Sequence, residues 1–181
     1  MGQRSQIYVR YDKKIVVANY YGWNYGERMI SRARHGIEYV FRSGNYMEKE
    51  KLSRIFDVNF DMKDVAISGD IREEWKHYFQ DENFNDFVFR LQDNNDGKLL
   101  VDITTDGIIK YAFLDYNCNT DNIMNAEQYM DWDSKGWEQS KYIDSEQKEL
   151  CRCNLQKINE MAILMTKEEV EDFVNYDYQS M

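Results

Sequence analysis

Gln6-Ile-Tyr-Val-Arg-Tyr11, Asp12-Lys13-Lys14 and Ile15-Val-Val-Ala-Asn-Tyr-Tyr21 decide the fold. The outer runs are rich in β-branched and aromatic residues, and a polar tripeptide separates them. Together they predict a β-hairpin. The period then changes. Met29, Ile30, Ala33, Ile37, Val40 and Phe41 recur at helical spacing and make one apolar stripe. A helix is therefore predicted from Asn24 or Gly26 to about Arg42, closed by Ser43-Gly44-Asn45 as a glycine C-cap. Arg28 and Arg32 lie on another face of that helix, with His35 beyond them.

Downstream, Glu48–Phe56 reads as a short helix with Leu52, Ile55 and Phe56 inward. Val58–Ser68 reads equally well as strand or loop. Asp70, with Glu73 three residues on, predicts the start of a helix carrying Ile71, Trp75, Tyr78 and Phe79. Phe87, Phe89 and Leu91 alternate like a strand, Asn94-Asn95-Asp96-Gly97 is a hairpin turn, and Leu99–Thr104 and Ile108–Asp115 complete an antiparallel meander. Asn117–Asn125 is a polar loop, and Glu127–Trp137 has room for a helical turn. Glu146–Glu160 predicts a helix with Leu150, Cys153 and Ile158 inward. Met161–Met165 either ends it or forms a short strand. Thr166 and Glu169 form a capping box that opens a last helix with Val170, Phe173 and Val174 as its core face. The expected architecture is one α+β domain over residues 1–181. It has an N-terminal hairpin and helix, a central antiparallel meander, and C-terminal helices packed on one face.

Charge divides the chain. Residues 1–44 hold eight Lys/Arg against three Asp/Glu, and the remainder holds 15 against 30. The net charge of −10 disfavours nonspecific duplex DNA binding, because phosphate repels such a body. The hydrophobic fraction of 43% and the 14 tyrosines argue against disorder. No apolar stretch approaches a membrane span, so no membrane partner is expected. Three cysteines, an odd number, fit reduced thiols in a cytoplasm. Charged residues near the start leave no signal peptide, and Gln6 stands where a myristoylation signal wants Ser or Thr.

Two clusters are candidate binding sites. The first is basic and aromatic: Trp23, Tyr25, Arg28, Arg32 and Arg34. Guanidinium forks suit phosphates and carboxylates, and rings stack on exposed bases. The plain alternative is that an acidic chain lays its own carboxylates against this helix. The second is acidic: Asp131 and Asp133, then Glu168, Glu169, Glu171 and Asp172. Spaced carboxylates can imitate a phosphate row and enter a basic channel, or simply solvate a helix. Asp93-Asn-Asn-Asp96-Gly97 has its glycine one place too early for a calcium loop and lacks the final Glu, so a turn explains it. Two histidines leave no His-rich metal site, and no nucleophile elbow, phosphate-binding glycine loop or zinc-protease motif is present. No metal, cofactor or catalytic residue is assigned.

Met1-Gly-Gln-Arg-Ser-Gln-Ile-Tyr-Val-Arg10, followed by Ala18-Asn-Tyr-Tyr-Gly-Trp-Asn-Tyr-Gly-Glu-Arg-Met-Ile-Ser-Arg-Ala-Arg34, resembles small proteins carried by phages and mobile elements of Gram-positive bacteria. Proteins of that kind include type II anti-CRISPR proteins, which inhibit the RNA-guided Cas nuclease. The resemblance covers the first quarter of the chain. It implies a cytoplasmic, non-enzymatic inhibitor whose partner is a bacterial CRISPR effector nuclease, with its guide RNA as a second contact. Such an effector presents a basic channel for its heteroduplex. Two alternatives stand beside it: a phage-encoded enzyme acting on nucleic acid or a nucleotide through carboxylates, and an RNA-binding module using the Arg-rich helix.

Overall fold

The computed structural model describes residues 3–44, 49–61, 67–91, 95–116 and 118–179. Met1, Gly2, Asn45, Glu48, Asp93, Asn94 and Asn117, named above, lie outside them, as does part of Val58–Ser68. Strand β1 (Arg4–Tyr11) turns into β2 (Lys14–Gly22) through Asp12 and Lys13, both left-handed at φ 47° and 65°. This two-residue turn matches the twist of the flanking strands.

The other strands are β3 (Ile67–Asp70), β4 (Lys98–Ile103), β5 (Ile109–Leu114) and β6 (Ile163–Leu164). They form one mixed six-stranded sheet in the order β3-β2-β1-β4-β5-β6. β1 pairs antiparallel with β2 and parallel with β4, so the opening hairpin supplies the middle of the sheet. The protein is an α+β fold, and its antiparallel β4–β5 hairpin is present.

The first leg of the expected meander is not a strand. A one-turn helix α4 (Phe84–Asp86, following α1 to α3 below) runs into a π-helical turn, Phe87–Leu91. Asn83 caps it by accepting from the Asp86 amide at 3.1 Å. Phe84, Phe87 and Val88 sit at helical spacing and are all buried, as is Phe89. The alternation of Phe87, Phe89 and Leu91 happens to satisfy a strand template as well. The place beside β4 is taken by β1.

Helices cover both faces. On one lie α1 (Glu27–Ser43), α2 (Lys49–Asp57), α5 (Ala126–Asp133) and α6 (Ser145–Met161). Their core includes Ile7, Val9, Ile37, Leu99, Val101 and Ile158. On the other lie α3 (Ile71–Tyr78), the 84–91 segment and α7 (Lys167–Asn175), around Tyr8, Leu100, Ala112, Phe89, Val170 and Phe173. Successive strand residues point to opposite faces, so a sheet covered twice reads as unbroken apolar runs. The C-terminal helices are therefore split between faces, not packed together on one.

Within α1 the expected stripe holds except at Phe41, which is 59% exposed. The buried arc instead includes Gly36, where a Cβ would stand 2.2 Å from the Phe56 ring of α2. α1 ends on Gly44 at φ 60°, with the Gly44 amide bonded to Val40. On α6 the inward residues are Cys151, Asn154, Leu155 and Ile158, while Cys153 is exposed. Among the described residues no helix is long and apolar enough to cross a membrane.

Candidate docking surface

The β2–α1 connection places the aromatic run. Trp23 takes a left-handed backbone, φ 63°, and leaves its ring 49% exposed. Asn24 turns inward and donates to Ser5 Oγ at 3.1 Å. Arg32 is buried and donates from Nη1 to Asn24 Oδ1 at 2.7 Å and from Nη2 to the Asp57 carbonyl at 3.3 Å. Its guanidinium also lies 5.4 Å from the centre of the Tyr21 ring. Arg32 is therefore an internal brace of the Trp23–Tyr25 turn, and the expectation that it faces a partner is corrected. Helical position alone did not reveal this, because α2 covers that side of α1.

The other basic candidates separate. Arg34 pairs with Glu38 at 2.9 Å, and Arg42 takes the other oxygen at 2.8 Å. His35 contacts Asp61 at 3.1 Å. Burial acts to raise the Asp61 pKa, but hydrogen bonds from Asn154, Ser31 and His35 outweigh it and hold the carboxyl below its ordinary value. Arg10 is buried and bidentate on Asp102, at 3.0 and 2.7 Å, and also reaches Asp172 at 3.0 Å. Lys13 meets the same Asp172 at 2.5 Å. Much of the N-terminal charge is thus answered inside the molecule. Arg28, half-buried in the first turn of α1, stands 5.0 Å from the Tyr25 ring centre and donates to the Trp23 carbonyl at 3.4 Å.

The acidic candidates also separate. On α7, Glu169 pairs with Lys110, Glu171 accepts from the Thr120 hydroxyl at 3.4 Å, and Asp172 holds Arg10 and Lys13. Glu168 is exposed. These residues lie on the opposite face from Tyr25 and Arg28. On α5, Asp131 is exposed, whereas Asp133 is half-buried and accepts the Gly26 amide at 2.8 Å. The two carboxylates thus face different surroundings and do not form a metal pair. Among the described residues no cluster of three or more metal-ligating side chains occurs.

What the fold does assemble is a surface around Trp137. The turn Ser134–Gly136 ends with Gly136 at φ 73° and starts a 3₁₀ turn, Trp137–Gln139, whose indole is buried. One groove beside it, about 330 Å³, gathers Tyr25, Arg28, Ser134, Lys135 and Tyr142. A second, about 450 Å³, has a floor of Trp137 and Leu155 and a rim of Glu127, Glu138, Glu160 and Arg152. Arg152 also lies 5.9 Å from the Trp137 ring centre. Tyr142 stands 85% exposed with Lys141 near its ring. Sequence reasoning brought Tyr25 and Arg28 to this surface but missed Trp137, Glu138, Tyr142 and Arg152. The available signal was Gly136-Trp137 between two capped helices, a loop aromatic that packs instead of dangling. No family model, curated protein or solved structure matches the chain.

Proposed function

We propose that this protein is a non-enzymatic inhibitor of the anti-CRISPR kind, which docks the Trp137 surface on the basic nucleic-acid channel of a type II RNA-guided nuclease. The observation that carries this reading is the second groove, where Glu127, Glu138 and Glu160 surround an apolar floor on a body of net charge −10. Glu138 and Glu160 also meet Arg152 at 3.9 Å and Lys157 at 3.4 Å, respectively, but in exposed pairs that are worth little and that a partner's cations can replace. Carboxylates spaced along a ridge present charge where a basic channel expects phosphate, and a buried aromatic floor supplies the apolar contact that anchors interfaces. Such an effector holds its heteroduplex through backbone contacts in a positively charged channel, so an acidic surface competes there without imitating a base sequence.

The neighbouring groove favours a supplementary contact. Arg28 over Tyr25, with Trp23 and Lys135 nearby, is suited to an unpaired stretch of guide RNA, through a guanidinium on phosphate and a ring on a base. The partner is accordingly a bacterial CRISPR effector nuclease with its guide bound, met in the host cytoplasm. The direct test is target cleavage by guide-loaded effectors in the presence of rising amounts of the protein. Cleavage falling to background at equimolar protein supports the reading, and unchanged cleavage across a panel of type II effectors removes it.

A further inference from the structure

On the α7 face of the sheet two mutually reactive side chains meet in the interior. Lys98 opens β4 and is fully buried. Its Nζ donates to the Phe89 carbonyl at 2.5 Å and lies 3.1 Å from Sγ of Cys118. The thiol reaches the same carbonyl at 3.2 Å, so one acceptor draws amine and sulfur together. No salt bridge reaches Lys98 among the described residues. Burial holds its pKa below the ordinary lysine value, which enlarges the neutral, nucleophilic fraction of the amine.

The remaining cysteines differ. Cys151 is buried, and burial, with Glu27 nearby, pushes its thiol up to about 12. Cys153 is exposed on α6. Cys118 is the cysteine with a lysine amine in contact, and it sits near the surface end of its cluster at 9% exposure.

We propose that Lys98 and Cys118 form an oxidative cross-link, a covalent N–S bond made when a hydroperoxide oxidises the sulfur. The hydroperoxide takes the thiol to sulfenic acid and is itself reduced, hydrogen peroxide giving water. The Lys98 Nζ lone pair then attacks the sulfur. The N–S bond forms, the S–O bond breaks, and the departing hydroxide leaves with an amine proton as water. A thiol reductant reverses the reaction, its two thiols becoming a disulfide while the amine and Cys118 thiol are restored. The product ties the start of β4 to the loop after β5.

The test uses the full chain carrying Cys153→Ser, since a Cys151–Cys153 disulfide would also remove two hydrogens. The protein is treated with hydrogen peroxide, denatured, alkylated and digested with trypsin. The expected result is an intact mass lower by about 2 Da. Cys118 escapes alkylation, cleavage after Lys98 fails, and residues 91–110 remain joined to 111–135. Dithiothreitol restores both the mass and the cleavage. Adding Lys98→Arg, or Cys118→Ser if that variant folds poorly, abolishes the joined peptide. Normal cleavage after Lys98 with Cys118 alkylated, or carrying only added oxygen, overturns the proposal. Loss of two hydrogens in the Cys118→Ser protein does so equally.

Discussion

The Asp133 carboxylate accepts the backbone amide of Gly26 at 2.8 Å, so α5 fastens the N-terminus of α1. Gly26, at the head of α1, has no side chain to cap that end, and Asp133 puts a negative charge where the helix dipole favours one. The same contact fixes the Tyr25–Arg28 groove against the Ser134–Gly136 turn. Asp133→Ala is expected to cost about 1–3 kcal/mol, because it leaves a buried amide without its acceptor. A urea midpoint unchanged from the native protein would contradict this.

The pH dependence of this contact has a definite sign. Burial raises the Asp133 pKa, against the hydrogen bonds donated by Gly26 and Tyr129 and the side-chain contact with Asp96, which pull it down. A carboxyl raised in the folded state binds its proton more tightly folded than unfolded. Its contribution to stability therefore declines as pH rises from the ordinary carboxylate value through the raised one. Asp133→Asn keeps an acceptor and removes the titration. The difference in unfolding free energy between native protein and variant should change across that window, with the variant gaining relative stability as pH rises. A difference independent of pH would refute the assignment.

Arg32 and Arg28, one turn apart on α1, should separate in experiment. Arg32→Met leaves Asn24 Oδ1 and the Asp57 carbonyl without a donor, and a loss of about 2–4 kcal/mol is expected. Arg28→Ala, at a half-buried position in the first turn of α1, should cost less than Arg32→Met, about 1 kcal/mol, while weakening contact with a guide-loaded effector. Thermal unfolding of the two variants side by side checks this. Equal losses would show that Arg28 too is a structural brace.

Asp172 links α7 to the central strand through Arg10 at 3.0 Å and to the hairpin turn through Lys13 at 2.5 Å. Burial acts to raise its pKa, but hydrogen bonds from Lys13 and Arg10 hold the carboxyl below the ordinary aspartate value. Its stabilisation is full above the unfolded value and is lost as pH falls through the folded one. Asp172→Asn should therefore cost stability at neutral pH and little in strong acid. A variant deficit that persists undiminished in acid would contradict the ion-pair account.

The hairpin, α1, α3 and α7 were legible because each carries a local signature. These are β-branched runs about a two-residue turn, a 3.6-residue stripe ended by Gly44, and side-chain caps at Asp70 and Thr166. The 84–91 segment was not legible in its alternation, since the decisive residue was the cap Asn83. Parallel pairing of β1 with β4 joins residues about ninety apart, which no local pattern encodes. The candidate site was half legible. Tyr25 and Arg28 follow from the aromatic run, but the burial of Arg32 depends on α2, and the rim of the acidic groove comes from three separate elements. Charge totals counted Asp172 and Glu169 as a docking face when both answer cations of the same chain.

Packing at Gly36 tests the fold independently of any partner. Its Cβ position lies 2.2 Å from the Phe56 ring, so Gly36→Ala must displace that buried ring from its place between α1 and α2. A loss of about 1–3 kcal/mol is expected from overpacking. Helix propensity alone predicts a gain of about 1 kcal/mol for the same change, so the sign of the measured effect decides.

The central claim is that the carboxylate rim around Trp137 docks on a basic channel. Gel filtration of guide-loaded type II effectors with the native protein and with Glu127→Lys/Glu138→Lys, at low and high salt, tests it most directly. The native protein is expected to co-elute in an equimolar complex that weakens as salt rises, because exposed charge pairs are screened. The charge-reversed protein should fold normally and elute alone. Co-elution of both proteins, or of neither with any effector, would contradict the account.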